Sequence, residues 1–248
     1  MDPGAELQGG AQIGPYAIVG PQVSVGPDSR VDPFAVLERN VRLGAGVRIG
    51  AHSVIGGDPQ DLKYQGEETW AEVGDGTIVR EYVTVNRGTA HSWKTTVGRG
   101  CLLMSYVHLG HDCRVGDGVI LSNNVQLAGH VHVDDKAIIG GMSGVHQFVS
   151  IGAYAFVGGF SKVAKDVPPY VKADGNPARL YGLNSIGLQR QGFSKDAVDA
   201  LKQAYRLFFR SSLNIRHAVE RARVELPPLP EVQAFIAFIA ESERGVLV

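Results

Sequence analysis

The stretch CRVGDGVILSNNVQLAGHVHVDDKAIIGGMSGVHQFVSIGAYAFVGG, residues 113–159, carries a branched aliphatic residue at every sixth position: Val115, Leu121, Leu127, Val133, Ile139, Val145, Ile151 and Val157. Followed outward, the period runs from Leu7 to Val163, and 24 of the 27 positions tested are Val, Ile or Leu. The chain is 44% hydrophobic, so chance would put about 12 apolar residues of any kind at those positions. The three exceptions are Asp61, Glu67 and His91. Glycine often follows the aliphatic residue, as in Ile13-Gly14, Val25-Gly26, Ile49-Gly50, Val115-Gly116 and Ile151-Gly152, which suits a backbone conformation that other residues resist. Four residues after the aliphatic comes a small or β-branched side chain, among them Ala17, Val23, Ser53, Cys101, Val107, Cys113, Val125, Ala137 and Ala155. Both positions are expected to point inward. Such a hexad is the signature of a parallel β-helix, whose coils stack at roughly 4.8 Å and bury a core only together.

The pattern resembles the left-handed, triangular β-helix of the hexapeptide-repeat transferases, in which three hexads make one 18-residue coil. That resemblance implies that residues 18 apart lie one above another. The repeat lapses at about 57–72 and 88–96 and resumes in phase, so both segments should loop outward, and loops on a rigid scaffold are where recognition residues collect. Pro168-Pro169 ends the repeat, dividing the chain into a β-helix over residues 1–173 and a helical C-terminal domain over 174–248. Ser194 is a plausible N-cap for a helix to about Arg210 striped by Val198, Leu201, Tyr205 and Phe208. Asn214 starts a second helix, and Glu231 to Glu243 reads as a third. Their expected use is to cap the open end of the stack.

Composition narrows the function classes. The 248 residues carry a formal net charge of −1, which argues against a protein built to grip nucleic acid. No apolar run approaches the roughly 18 residues of a membrane span, and MDPGAELQGG lacks the features of a signal peptide, so a cytoplasmic location is expected. Cys101 and Cys113 are too few for a disulfide scaffold and form no CxxC pair, which leaves them as buried filler and calls for neither metal nor cofactor.

Five of the eight histidines, His108, His111, His130, His132 and His146, fall on successive coils at outward positions. Stacking places Gly129 one coil from His111 and Gln147 one coil further, a column with a base, an exposed amide and an amide side chain. The segments HLGHDC (108–113), LAGHV (127–131), IIGGMSGVHQF (138–148), DVPPYV (166–171) and QDLKY (60–64) closely resemble the acyl-(acyl-carrier-protein):UDP-N-acetylglucosamine O-acyltransferase family, which begins lipid A synthesis.

The resemblance implies direct transfer of a 3-hydroxyacyl group from its carrier-protein thioester to the glucosamine 3-hydroxyl, without a covalent enzyme intermediate. His111 would be the general base, Asp112 would orient it, and the amide of Gly129 would face the oxyanion. Asp61, Lys63, His108, His130 and Gln147 would hold the sugar and diphosphate, His146 would line the site, and Asn123 would meet the pantetheine arm. Asn184 and Arg190 match positions near the nucleotide, whereas Ile186, Gln191 and Pro177 depart from the family's pattern. Family members are homotrimers with sites between subunits, and the loop at 57–72 is expected to serve a neighbour's site, being many coils from its own. The acyl-carrier protein and the nucleotide sugar are the implied partners. Two other readings stay open: N-acylation of a 3-amino sugar, and a zinc carbonic anhydrase on the same scaffold using three histidines.

Overall fold

A hexad supplies two or three extended residues and then a corner, and its aliphatic side chain turns inward. In the computed structural model, which describes residues 1–248, these short strands form three parallel sheets, the faces of a three-sided coil. The first face holds eight strands from Glu6–Leu7 to Ser150–Ile151, and the third holds eight from Ile18–Val19 to Lys162–Val163. The second face runs from Gln12–Ile13 to Phe156–Val157, gains Val171–Asp174 in parallel, and closes with Arg179–Leu183, which returns antiparallel. Arg114 pairs with His132 and His132 with Ser150, so one coil is 18 residues.

The aliphatic ladder is the core: Leu37, Ile49, Leu103, Leu121 and Ile139 are fully buried, together with Ser53, Val107, Val125 and Ala155 from the second inward position. Each large side chain contributes roughly 1.5–3 kcal/mol by leaving water. The two cysteines, free and buried, fill that second position too. At the first coil the core is open, with Leu7 39% exposed and Ile13 only half-buried.

The glycines after the aliphatic residues serve a purpose other than the expected one. Gly14, Gly26, Gly50, Gly116 and Gly152 do not adopt a positive φ; instead, the next coil passes so near that a Cβ has no room. At Gly26 it would lie 2.3 Å from the Gly44 carbonyl oxygen. The positive φ falls two residues later, mostly on non-glycine residues such as Tyr16, Asp28, His52, Asp112 and His130.

Both outward loops leave from one corner, between the third and first faces. Ala71 pairs with Val41, thirty residues back rather than eighteen, and Thr95 with Ala71, twenty-four residues on. The excursions are thus whole numbers of hexads, which is why the phase survives them.

Four helices follow the repeat: α1 (Ser185–Arg190), α2 (Lys195–Phe209), α3 (Ile215–Glu225) and α4 (Pro230–Glu241). Ser194 and Asn214 cap α2 and α3 as expected, accepting from Ala197 N and His217 N. The third expected helix begins one residue early, at Pro230, and ends at Glu241. The hairpin and α1 carry too short a periodicity to be read from sequence. α2 packs on Arg179–Leu183, and the chain end then returns to the stack, where Asp166 accepts from Ser242 Oγ (2.6 Å) and Leu247 N (2.8 Å). No helix is long and apolar enough to cross a membrane.

Coil-to-coil contact therefore predicts unequal costs for two alanine substitutions. Gly26→Ala forces a methyl into the neighbouring backbone and should cost about 1–3 kcal/mol or more. Gly46→Ala meets nothing within 4 Å and bears only the strain of its φ of 64°, about 1 kcal/mol. Denaturant unfolding of both variants checks the order.

Candidate active site

The corner between the third and first faces carries the column expected from the register. His130 N donates to His111 O (2.9 Å) and Phe148 N to Gly129 O (3.2 Å), which fixes His111, Gly129 and Gln147 one above another. The coil makes no use of the N–H at this corner position: earlier coils place Pro15, Pro21, Pro27 and Pro33 there, and an aspartate side chain takes the N–H of Ala45 and Arg99. At Gly129 it meets no protein acceptor. A Cβ on Gly129 would lie 2.6 Å from both Cε1 and Nε2 of His111, so the imidazole rests directly on this glycine.

His111 Nδ1 lies 2.8 Å from Asp112 Oδ2. Asp112 is buried and also accepts from Thr89 N (2.9 Å), Thr89 Oγ1 (2.7 Å), Ser92 N (3.2 Å) and Ser92 Oγ. Burial alone would raise its carboxyl; the hydrogen bonds from His111, Ser92 and Thr89 outweigh that and hold it well below the usual carboxylate range. An ionised carboxylate only accepts, so His111 carries its proton on Nδ1 and turns a bare Nε2 outward over Gly129.

His130 completes the cluster. Its ring stacks on Phe148 at 4.2 Å and meets His111 and His91 edge-on at 4.9 and 4.7 Å. Its buried Nδ1 lacks a hydrogen-bond partner and sits 3.8 Å from Asp112 Oδ2. Burial pushes this imidazole down, and the Asp112 charge offsets that only in part. Asp61 also lies near enough for its charge to act on His130. The loop at 57–72 is therefore within reach of the histidine column of its own chain, whereas the expectation placed it too many coils away. Its corner is only two coils from that of His111, roughly 10 Å at the coil spacing.

Other expected residues are placed as follows. His108, on the third face, receives a 2.7 Å contact from Thr84 Oγ1 to its Nδ1, and burial, with the His111 ring adding to it, pushes its imidazole down. His146 is exposed, with Arg244 Nη2 3.3 Å from its Nδ1, and Gln147 is exposed beside it. Lys63 N donates to Asp61 Oδ1 (3.0 Å) within the loop. Asn123 stands at the corner between the second and third faces. Asn184 caps α1 and donates to Tyr154 O (3.1 Å), near the corner between the first and second faces, and Arg190 ends the same helix. Within one chain these last three do not converge on His111.

Recesses flank the column on both sides. A cavity of about 750 Å³ on the first face is walled by His91, His130 and Phe148 and by Phe238 and Arg244 from the chain end. A shallower groove of about 390 Å³ on the third face runs between His108 and His146. The ligand atoms of His111, Asp112 and His130 lie within 4.8 Å of one another, the one grouping with the spacing of a metal site. The oxygens of Asp112, however, are already engaged by His111, Thr89 and Ser92, a donor set that suits an oriented imidazole better than a cation.

Sequence reasoning did not find Thr89, Ser92 or His91. Their signal is positional: the second lapse in the repeat occupies the corner immediately before His111, so its side chains had to fall on this site.

Comparison with known proteins accords with this geometry. A UDP N-acetylglucosamine O-acyltransferase domain 2 family model matches residues 166–247, and a bacterial transferase hexapeptide model matches 22–57 and 94–129. The chain is 62% identical over 246 residues to the acyl-(acyl-carrier-protein)–UDP-N-acetylglucosamine O-acyltransferase of Chlorobium phaeobacteroides, covering 99% of this chain and 93% of that one. The Trichlorobacter lovleyi protein of the same name is 53% identical over 99% of this chain and 96% of its own. Among solved structures, the Francisella novicida UDP-N-acetylglucosamine acyltransferase superposes with a TM-score of 0.97 at 35% identity, covering 99% of this chain and 91% of that chain. A chain so alike in sequence from end to end, folded into the same coil, belongs to the acyl-(acyl-carrier-protein)–UDP-N-acetylglucosamine O-acyltransferase family.

Proposed function

We propose that this enzyme moves a 3-hydroxyacyl group from an acyl-carrier-protein thioester to the 3-hydroxyl of UDP-N-acetylglucosamine, the first step of lipid A biosynthesis, in the cytoplasm. The observation that carries the reading is the bare Nε2 of His111 over the free N–H of Gly129, with Nδ1 tied to an ionised Asp112. Nε2 takes the proton of the sugar hydroxyl as its oxygen attacks the thioester carbon. The carbonyl oxygen gains the negative charge, and the Gly129 N–H is a ready donor for it. When the tetrahedral intermediate collapses, the C–S bond breaks and the imidazolium returns its proton to the departing thiolate. Asp112 stabilises the imidazolium throughout.

Direct transfer is supported by the lack of a competent hydroxyl or thiol nucleophile at this corner. The hydroxyls of Thr89 and Ser92 point at Asp112 rather than at Nε2. Cys113 is buried behind the corner, and burial pushes its thiol up to about 12.

A homotrimer with sites between subunits, which the family resemblance implies, is supported by the spread of the expected site residues over the coil. Asn123, Asn184 and Arg190 stand at other corners of the triangle, so one substrate meets them and His111 together only where two copies face each other, and a three-fold ring repeats that contact and closes. Asp61, Lys63, His108, His130, His146 and Gln147 then come from the subunit that supplies His111. Residues 174–248 form the domain that receives the acidic carrier protein, where Lys202 and Arg206 on α2 and Arg210 at its C-cap present an exposed basic strip.

His111→Ala should lower turnover by about 10² to 10⁴ without changing the melting temperature, measured as ester formation on the nucleotide sugar. Wild-type turnover should fall on acidification, because a protonated imidazole cannot accept the sugar proton, while the depressed Asp112 carboxyl stays ionised. Retention of more than about a tenth of turnover in the variant would remove His111 as the base.

Subunit mixing tests the shared site. His111→Ala and Arg190→Ala, each inactive alone, should regain activity on subunit exchange, whereas His111→Ala mixed with Asp61→Ala should stay inactive, because no subunit in that mixture carries both residues. Recovery of activity in that second mixture would contradict the assignment of the loop.

A further inference from the structure

The least expected group in the molecule is Arg87, whose side chain is fully buried two residues before Thr89. Around it, the backbone closes the neck of the first loop: Arg87 N donates to Gly57 O (2.8 Å) and Gly88 N to Trp70 O (3.2 Å), so both ends of the excursion are tied to one dipeptide. Asn86 Nδ2 adds a bond to Asp58 O at 2.7 Å. The guanidinium reaches further into the loop, donating to Gly56 O, to the carboxylate of Asp58, and to Tyr64 Oη at 3.1 Å. Tyr64 Oη in turn donates to Glu67 O (3.0 Å) on the loop's returning limb.

A cation withdrawn from water is costly even when paired, and here the buried Nε has no partner at all. The neck is already held by backbone bonds, so closure of the loop does not require that cost. What the side chain adds is direction: it grips the loop at Asp58 and Tyr64, on either side of Asp61 and Lys63. The same short segment then binds Asp112 through Thr89 and Ser92 and packs His91 on His130. Residues 86–92 are thus a strap with the loop on one end and the histidine dyad on the other.

We propose that Arg87 is a positioning residue that sets the loop bearing Asp61 and Lys63 against the His111–His130 column, so that acceptor affinity depends on its guanidinium while proton transfer does not. The inference rests on the reading of Asp61 and Lys63 as acceptor-binding residues. Arg87→Lys should raise KM for UDP-N-acetylglucosamine about tenfold or more, as loss of charged hydrogen bonds dictates, and Tyr64→Phe should raise it a few-fold. In both, kcat, its pH profile and KM for the acyl donor should stay as in the wild type. Joined to Asp61→Ala, Arg87→Lys should add no further loss, because both act through the same contact. Tyr64→Phe leaves the coil untouched, so it answers the question even if Arg87→Lys unfolds. Multiplicative losses in the double variant, or a fall in kcat at unchanged KM, would overturn the inference. A wild-type protein that neither binds nor acylates the nucleotide sugar would instead overturn the reading beneath it.

Discussion

Every feature of this site descends from the hydrogen-bonded ladder that joins each coil to the next with an 18-residue step. The ladder turns distance along the chain into height along one edge. His111, Gly129 and Gln147 are neighbours because they share a corner position on successive coils. The same ladder explains the glycines, which exist so that coils can approach, and the exposed left-handed corner residues, which the closely stacked backbone holds in place. A rigid edge of this kind costs no reorganisation when a transition state forms against it.

On that edge, chemistry is set by what is kept from water. Asp112 is buried yet remains ionised because it accepts from both hydroxyls and both amides of Thr89 and Ser92 and from His111. A carboxylate so committed holds the imidazole in one tautomer. The insertions are therefore more than decoration on a solenoid: the second supplies Thr89 and Ser92 to the dyad, and the first carries Asp61 toward His130. Their position at a single corner gathers the candidate recognition and catalytic residues on one edge of the prism, while Asn123, Asn184 and Arg190 stand on its other edges.

The coil was legible in sequence because its signal is redundant: two dozen aliphatic residues keep one phase, and errors at Asp61, Glu67 and His91 do not disturb it. The column was legible for the same reason, since the step of 18 needs no knowledge of side-chain packing. The loop was misplaced through counting. Reach was judged from sequence distance, whereas the excursions themselves consume thirty and twenty-four residues per step, so few coils separate residue 61 from residue 130. Thr89, Ser92 and Arg87 stayed hidden because hydrogen bonding inside an irregular segment has no period. The role of glycine was misjudged because close approach and positive φ select the same residue.

The proposed reaction has an oriented base on a rigid edge move the acyl group directly from donor to acceptor, with no acyl-enzyme between them. Intact-protein mass spectrometry on a quenched single turnover tests it most directly, with enzyme in excess over a 3-hydroxyacyl carrier protein and UDP-N-acetylglucosamine present. The account predicts that the acylated nucleotide sugar, as its 3-ester, appears at the rate the thioester disappears, while the enzyme never gains the acyl mass. An acyl adduct on the enzyme that forms and decays fast enough to lie on the pathway would contradict it.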